Sequence, residues 1–309
     1  RLSGSPPTSV VRNRAVLNAA DEKNVLIVSG GSYAADGVDA KILERELRAL
    51  GYSVKVSKLA ITASNHFERF RMYEDLARGV SGPRPGQRWV YLAEVHLHYD
   101  RGPLAQLVRN QDTVRTYYYL TPHNALTAWR ALSTSDIDPV DVRAYRWLLV
   151  RHTLIQTFNV GLDARLMPED GVSVRRRSGH KPPRKRKRKP PFQFDPEALL
   201  QEARSPQPSV PVPTWLFDLR EPREKELWSR YDASWVYFGV PSTSPEQLRY
   251  IRSFCEATEE ICITPDLSLL KKLRSASSWK NVGHMNAKGA KRYSAWLARE
   301  LDRAGVLQK

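Results

Sequence analysis

The sequence predicts an α/β domain of three α/β/α layers around a five-stranded parallel sheet. Two observations predict it. Short apolar runs of four to eight residues, rich in Val, Ile, Leu and aromatics, are the pattern of strands buried on both faces. Between them lie stretches whose apolar residues recur at three and four, the period of an amphipathic helix. Strands that alternate with helices in this way are joined by crossovers, which makes the sheet parallel.

The first strand is "NVLIVSGGS", with Val25 to Val28 as its apolar run and Ser29-Gly30-Gly31-Ser32 as the turn that ends it. In "DAKILERELRALG", Ala40, Leu43, Leu47 and Leu50 form one helix face, and Gly51 stops it. "YSVKVSKL" alternates Val54 and Val56 with polar residues as a second strand. "SNHFERFRMYEDLA" follows as a helix, with Ser64 or Asn65 as N-cap and Phe67, Phe70, Tyr73 and Ala77 on one side. Trp89 to Val95 is the third strand.

The rhythm then breaks between about 101 and 230. "DVRAYRWLLVRHTLIQTF" is helical, with Tyr145, Leu148, Leu149, His152 and Ile155 near a 3.6 period. A polybasic and proline-rich stretch over 173–213 has too few large apolar residues to bury a core, and reads as a surface insertion. Trp235 to Val240 resumes the sheet as the fourth strand. "STSPEQLRYIRSFCEA" is a helix with Ser244 as N-cap, Pro245 at its first position, and Leu248, Ile251 and Cys255 facing inward. "ICITPD" is a short fifth strand. A last helix carries Ala290, Tyr293, Leu297 and Leu301 on one face. The domain reading is a polar lead-in over 1–22 and one α/β domain over 23–309, with the insertion at about 101–230.

The net charge of +16 is concentrated. Ten of those charges lie between Arg175 and Lys189, in a run without an acid, leaving +6 for the rest of the chain. Three readings stand for this run: a solvated insertion, an electrostatic anchor for an anionic polymer or membrane surface, or a nucleic-acid tract. The absence of an aromatic stacking platform beside it makes nucleic acid the weaker partner. No run of about 18 apolar residues is present to span a membrane. The two cysteines, Cys255 and Cys262, are too few for a metal site by themselves, and form either a local disulfide or two buried thiols.

In an open parallel sheet, ligands bind at the carboxyl ends of the strands. That rule selects "SGGS", "AITASN" and "HLHYD", and the stretch "KNVGHMNAKG" after strand five can reach the same edge. Ser32 and His284 are 252 residues apart in sequence, yet this topology brings both loops together. Alone, Ser32 is a turn serine, and His284 is a turn histidine beside Asn286, which caps the last helix. His96 and His98 lie on one side of a strand end, where Glu94 and Asp100 could join them, but no further ligand has metal spacing.

The strand ending in Gly-x-Ser, a second-strand loop of small residues and "NVGHMNAKGAKRYSAWLARELD" resemble the SGNH (GDSL-type) hydrolases, in particular SGNH-like proteins of bacterial polysaccharide modification. The resemblance covers roughly 25–100 and 235–305. It implies a serine esterase or O-acyltransferase acting on acyl, foremost acetyl, esters of a cell-surface polysaccharide. In it Ser32 is the nucleophile and His284 the general base, oriented by Asn281. Ser32, Ala63 and His96 form the oxyanion hole, and Gly31, Asn65 and His98 contact substrate. It requires no cofactor and no metal, and implies an extracytoplasmic location with a signal or anchor ahead of the lead-in. Two positions depart from the pattern: Asn281 stands where the family has aspartate, and the loop after strand three lacks the usual asparagine. These departures support an alternative, a catalytically degenerate SGNH-like protein that binds an anionic polymer or a partner in a polysaccharide assembly complex.

Overall fold

In a computed structural model, residues 7–60, 66–95, 194–204, 224–281 and 283–309 are described, with isolated helical positions between 125 and 154. Five parallel strands form one sheet in the order β2-β1-β3-β4-β5, the flavodoxin-like order. They are β1 (Asn24–Gly30), β2 (Val54–Ala60), β3 (Arg88–Val95), β4 (Ser234–Gly239) and β5 (Ile261–Ile263). The helices among the described residues include α1 (Thr8–Ala19), α2 (Ser32–Gly37), α3 (Ala40–Ala49), α4 (His66–Arg78), α5 (Pro196–Arg204), α6 (Pro245–Ala257), α7 (Leu267–Leu273) and α8 (Ala287–Arg303), and residues 224–229 are also helical.

Alternation along the strands divides the core in two, because successive side chains point to opposite faces. Val25, Ile27, Trp89 and Tyr91 face α1, α4 and α6, where Leu17, Met72, Tyr73, Leu76 and Ile251 complete one cluster. Leu26, Val28, Val90, Leu92 and Phe238 face α2, α3 and α8, packing with Ala34, Leu43, Leu47, Tyr293 and Leu297. Helices therefore cover both faces of the sheet, an arrangement compatible with three α/β/α layers. Every residue of β1 is buried, as its unbroken apolar run requires.

Local signals set the element ends. Asp39 caps α3 by accepting from the N–H groups of Lys41 and Ile42, and Ser244 caps α6 from Gln247. Gly51, at φ 92°, turns the chain after α3 in the left-handed region that glycine tolerates. The Ser64 or Asn65 cap expected for α4 lies outside the described residues, as do most of 101–223 and the polybasic run Arg175–Lys189.

The polar lead-in expected over 1–22 instead contains helix α1. Its inward stripe is only Val10, Asn13 and Leu17, and Val11 stays exposed, so the helix has little amphipathic contrast in sequence. Asn13 accepts from the Ser57 hydroxyl, which fastens α1 to β2. Helices α5 and α7 carry no clear signal in sequence; Leu199, Leu200 and Leu270 pack with Leu248 of α6, and Leu269 and Leu273 of α7 join Tyr293 and Leu297 of α8. Cys255 of α6 and Cys262 of β5 form a disulfide, which decides between the two readings of that pair.

At the amino edge of the sheet, the buried Asn24 side chain clasps the end of the chain. Its Nδ2 donates to the carbonyls of Gln308 (2.7 Å) and Ser53 (3.0 Å), and its Oδ1 accepts from Gln308 N–H. Among the described residues, no helix is long and apolar enough to cross a membrane.

Candidate active site at the carboxyl edge

Strand β1 delivers Ser32 to the carboxyl edge, at the crevice between β1 and β3 where the strand order reverses. Ser32 is the first residue of α2, so its N–H has no acceptor within the helix. Gly30 N–H donates to the Tyr73 hydroxyl at 2.9 Å. Gly31 and Ala34 both donate to the Glu94 carboxylate. Lys58, partly buried on β2, donates to the carbonyls of Ala35 and Val38 at the other end of α2, and burial lowers its pKa.

The opposite side of the site is the loop from Trp279 to Met285, closed by an antiparallel bridge between those two residues. Both are buried, and the indole N–H of Trp279 donates to Leu273 O at 2.7 Å. Asn286 continues the framework: its Oδ1 accepts from Lys288 and Gly289 as the N-cap of α8. Its Nδ2 donates to the carbonyls of Ser277 and Trp279. The loop that bears His284 is thus held at its base by packing and on its downstream side by a helix cap.

Within this frame His284 Nε2 lies 2.9 Å from Ser32 Oγ, and His284 Nδ1 lies 3.1 Å from Asn281 Oδ1. Asn281 Oδ1 also accepts from the backbone N–H groups of Gly283 and His284, each at 3.0 Å. Two backbone donors assign the amide oxygen, not its nitrogen, to the side facing the ring. An oxygen there requires Nδ1 to carry the proton, which leaves the Nε2 lone pair facing Ser32. That is the tautomer a general base needs.

Tyr33 stacks on the imidazole, with ring centroids 4.7 Å apart and planes 19° from parallel. Gly283 makes room for it, since a Cβ at that position would lie 2.9 Å from the Tyr33 hydroxyl oxygen. Lys280 and Asp36 form an ion pair at 2.6 Å between the loop and α2. The His284 pKa is lowered, first by burial; Asp36 pulls it up and Lys280 pushes it down.

Of the residues singled out in sequence, Ser32, His284 and Asn281 converge in one hydrogen-bonded chain. Gly31 lies beside them, but its N–H is bound to Glu94 and its carbonyl accepts from Ala35, so both backbone groups serve the turn. Ala63, Asn65, His96 and His98 lie outside the described residues. Tyr33, Asp36 and Glu94 join the site without a motif in the sequence that marks them for it. The only signals for the first two were adjacency to Ser32, and Glu94 carried a metal reading with His96 and His98. Among the described residues, no group of three or more His, Cys, Asp or Glu side chains is placed to hold a metal ion. No model of a protein family matches the chain, and no curated protein matches it.

Proposed function

We propose that this chain is an SGNH-like serine esterase or O-acyltransferase acting on acyl esters, foremost acetyl esters, of a bacterial cell-surface polysaccharide. The observation that carries the chemistry is the chain Asn281 Oδ1, His284 Nδ1, His284 Nε2, Ser32 Oγ, with its tautomer set by backbone donors. Ser32 Oγ attacks the ester carbonyl while Nε2 takes its proton. The N–H of Ser32 receives the oxyanion, and the resemblance implies Ala63 as a second donor. Collapse expels the alkoxide, which recovers the proton from Nε2, and leaves an acyl ester on Ser32. Water or a sugar hydroxyl, deprotonated by the same nitrogen, then releases the acyl group; the first outcome is hydrolysis and the second transfer.

The choice of a polysaccharide rests on the resemblance alone. The Cys255–Cys262 disulfide supports an oxidising, extracytoplasmic compartment. The basic run Arg175–Lys189 supports an anionic polymer or membrane surface as a partner.

The neutral amide of Asn281 favours a second reading, a catalytically degenerate binding protein, because it offers imidazolium no charge. Hydrolysis of p-nitrophenyl acetate separates the two. The enzyme reading expects turnover that Ser32→Ala and His284→Ala each abolish. Wild-type turnover no faster than in those variants would sink it.

A further inference from the structure

We infer that Glu94 is the positioning residue of the nucleophile turn, an inference that rests on the serine-esterase reading of the site. Glu94 is the penultimate residue of β3 and is buried, 4% exposed. One carboxylate oxygen accepts from Gly31 N–H and the other from Ala34 N–H, the latter at 2.8 Å. The two donors flank Ser32 on either side. A carboxylate that accepts backbone N–H groups forms charge-assisted bonds, stronger than their neutral counterparts.

The sequence is cut to fit this grip. A Cβ at Gly30 would lie 2.5 Å from Glu94 Oε2 and 2.9 Å from Glu94 Cβ, so glycine is what lets β1 approach the carboxylate. The same carboxylate oxygen lies 3.5 Å from where a Cβ of Gly31 would sit, and the guanidinium of the buried Arg69 lies 3.6 Å from that point. A carboxylate oxygen and a guanidinium nitrogen therefore both border Gly31. With Gly31 and Ala34 engaged, the turn offers Ser32 N–H to an incoming carbonyl oxygen. Glu94 thus fixes two things at once: the direction of Ser32 Oγ toward Nε2, and which N–H of the turn faces the substrate. It touches neither His284 nor the reacting atoms.

Glu94→Gln tests this, because the amide is isosteric yet turns an NH2 donor against one of the two backbone donors. The probe is a fluorophosphonate, with rate constant and final stoichiometry of Ser32 labelling read separately, alongside kcat and KM for p-nitrophenyl acetate. The expected result is full stoichiometry at a labelling rate and a kcat reduced about ten- to a hundredfold, the scale of nucleophile misplacement. KM and the acid limb of the pH profile stay in place, since His284 is untouched. Wild-type amide exchange supplies a readout independent of folding in the variant: Gly31 and Ala34 are expected to exchange far more slowly than the exposed turn amide of Gly86. Should Glu94→Gln fail to fold, Glu94→Asp, which keeps the charge with a shorter reach, takes its place in the same comparison. Labelling of the variant at the wild-type rate, or a fall in stoichiometry alone with an unchanged rate, overturns the inference and leaves the esterase reading standing. A wild type that takes up no probe overturns both.

Discussion

Asn281 is where the chemistry of a single residue decides the most. Replacing a triad aspartate by asparagine is costly when the amide turns its NH2 to the ring and selects the wrong tautomer, about four orders of magnitude in turnover. Here the backbone N–H groups of Gly283 and His284 hold the oxygen toward Nδ1. Asn281→Ala removes that acceptor and is expected to lower kcat by about a hundredfold, within the range of general-base contributions. Asn281→Asp keeps the acceptor and adds charge, so the acid limb of kcat/KM is expected to move to higher pH while activity is retained. In the wild type, burial lowers the His284 pKa, so neutral base persists below the ordinary 6.5 and the acid limb lies below that value. The same shift contributes stability that is present above 6.5 and lost as pH falls through the lowered pKa. Lys280→Ala removes a cation and unmasks Asp36, both of which raise the His284 pKa, and the limb is expected to rise. A pH profile whose acid limb lies at or above that of free histidine would contradict this account of the burial.

Among the elements, the loop of His284 is the one whose order links stability to the site. Asn286→Ala removes the N-cap of α8 and is expected to cost about 1 kcal/mol in urea unfolding, typical of a lost cap. The Cys255→Ser, Cys262→Ser pair opens a short covalent loop at the edge strand β5 and is expected to cost roughly 2–3 kcal/mol. The strands were legible in sequence as apolar runs, Val25 to Val28 before Gly30 and Trp89 to Val95, or as alternation, Val54 and Val56 with polar residues between. Helix α8 was legible because Ala290, Tyr293, Leu297 and Leu301 recur on one face. Helix α1 was not, because two apolar anchors seven residues apart leave no contrast and tertiary packing supplies its order. The pairing of Ser32 with His284 followed from topology. The stack of Tyr33 on His284 and the hold of Glu94 on the turn did not, since each depends on how two distant elements meet.

For the whole molecule, the sheet separates two edges with different duties. Ser32, Glu94 and His284 gather at the carboxyl edge, while Asn24 joins β1, the start of β2 and the last residues at the amino edge. Asn24→Ala leaves the N–H and carbonyl of Gln308 without their partner, while Ser53 O keeps the Asn24 backbone N–H, and is expected to cost about 1–3 kcal/mol. Because strand β1 is seven residues long, roughly 20 Å separates the clasp from Ser32. Thermal unfolding of this variant should therefore fall while kcat on p-nitrophenyl acetate holds. The clasp also fixes the direction in which the chain leaves the body. Anything joined after Lys309, a tether or a surface coupling, departs from the rim opposite Ser32. Protein immobilised through that end presents the rim that bears Ser32 and His284 outward.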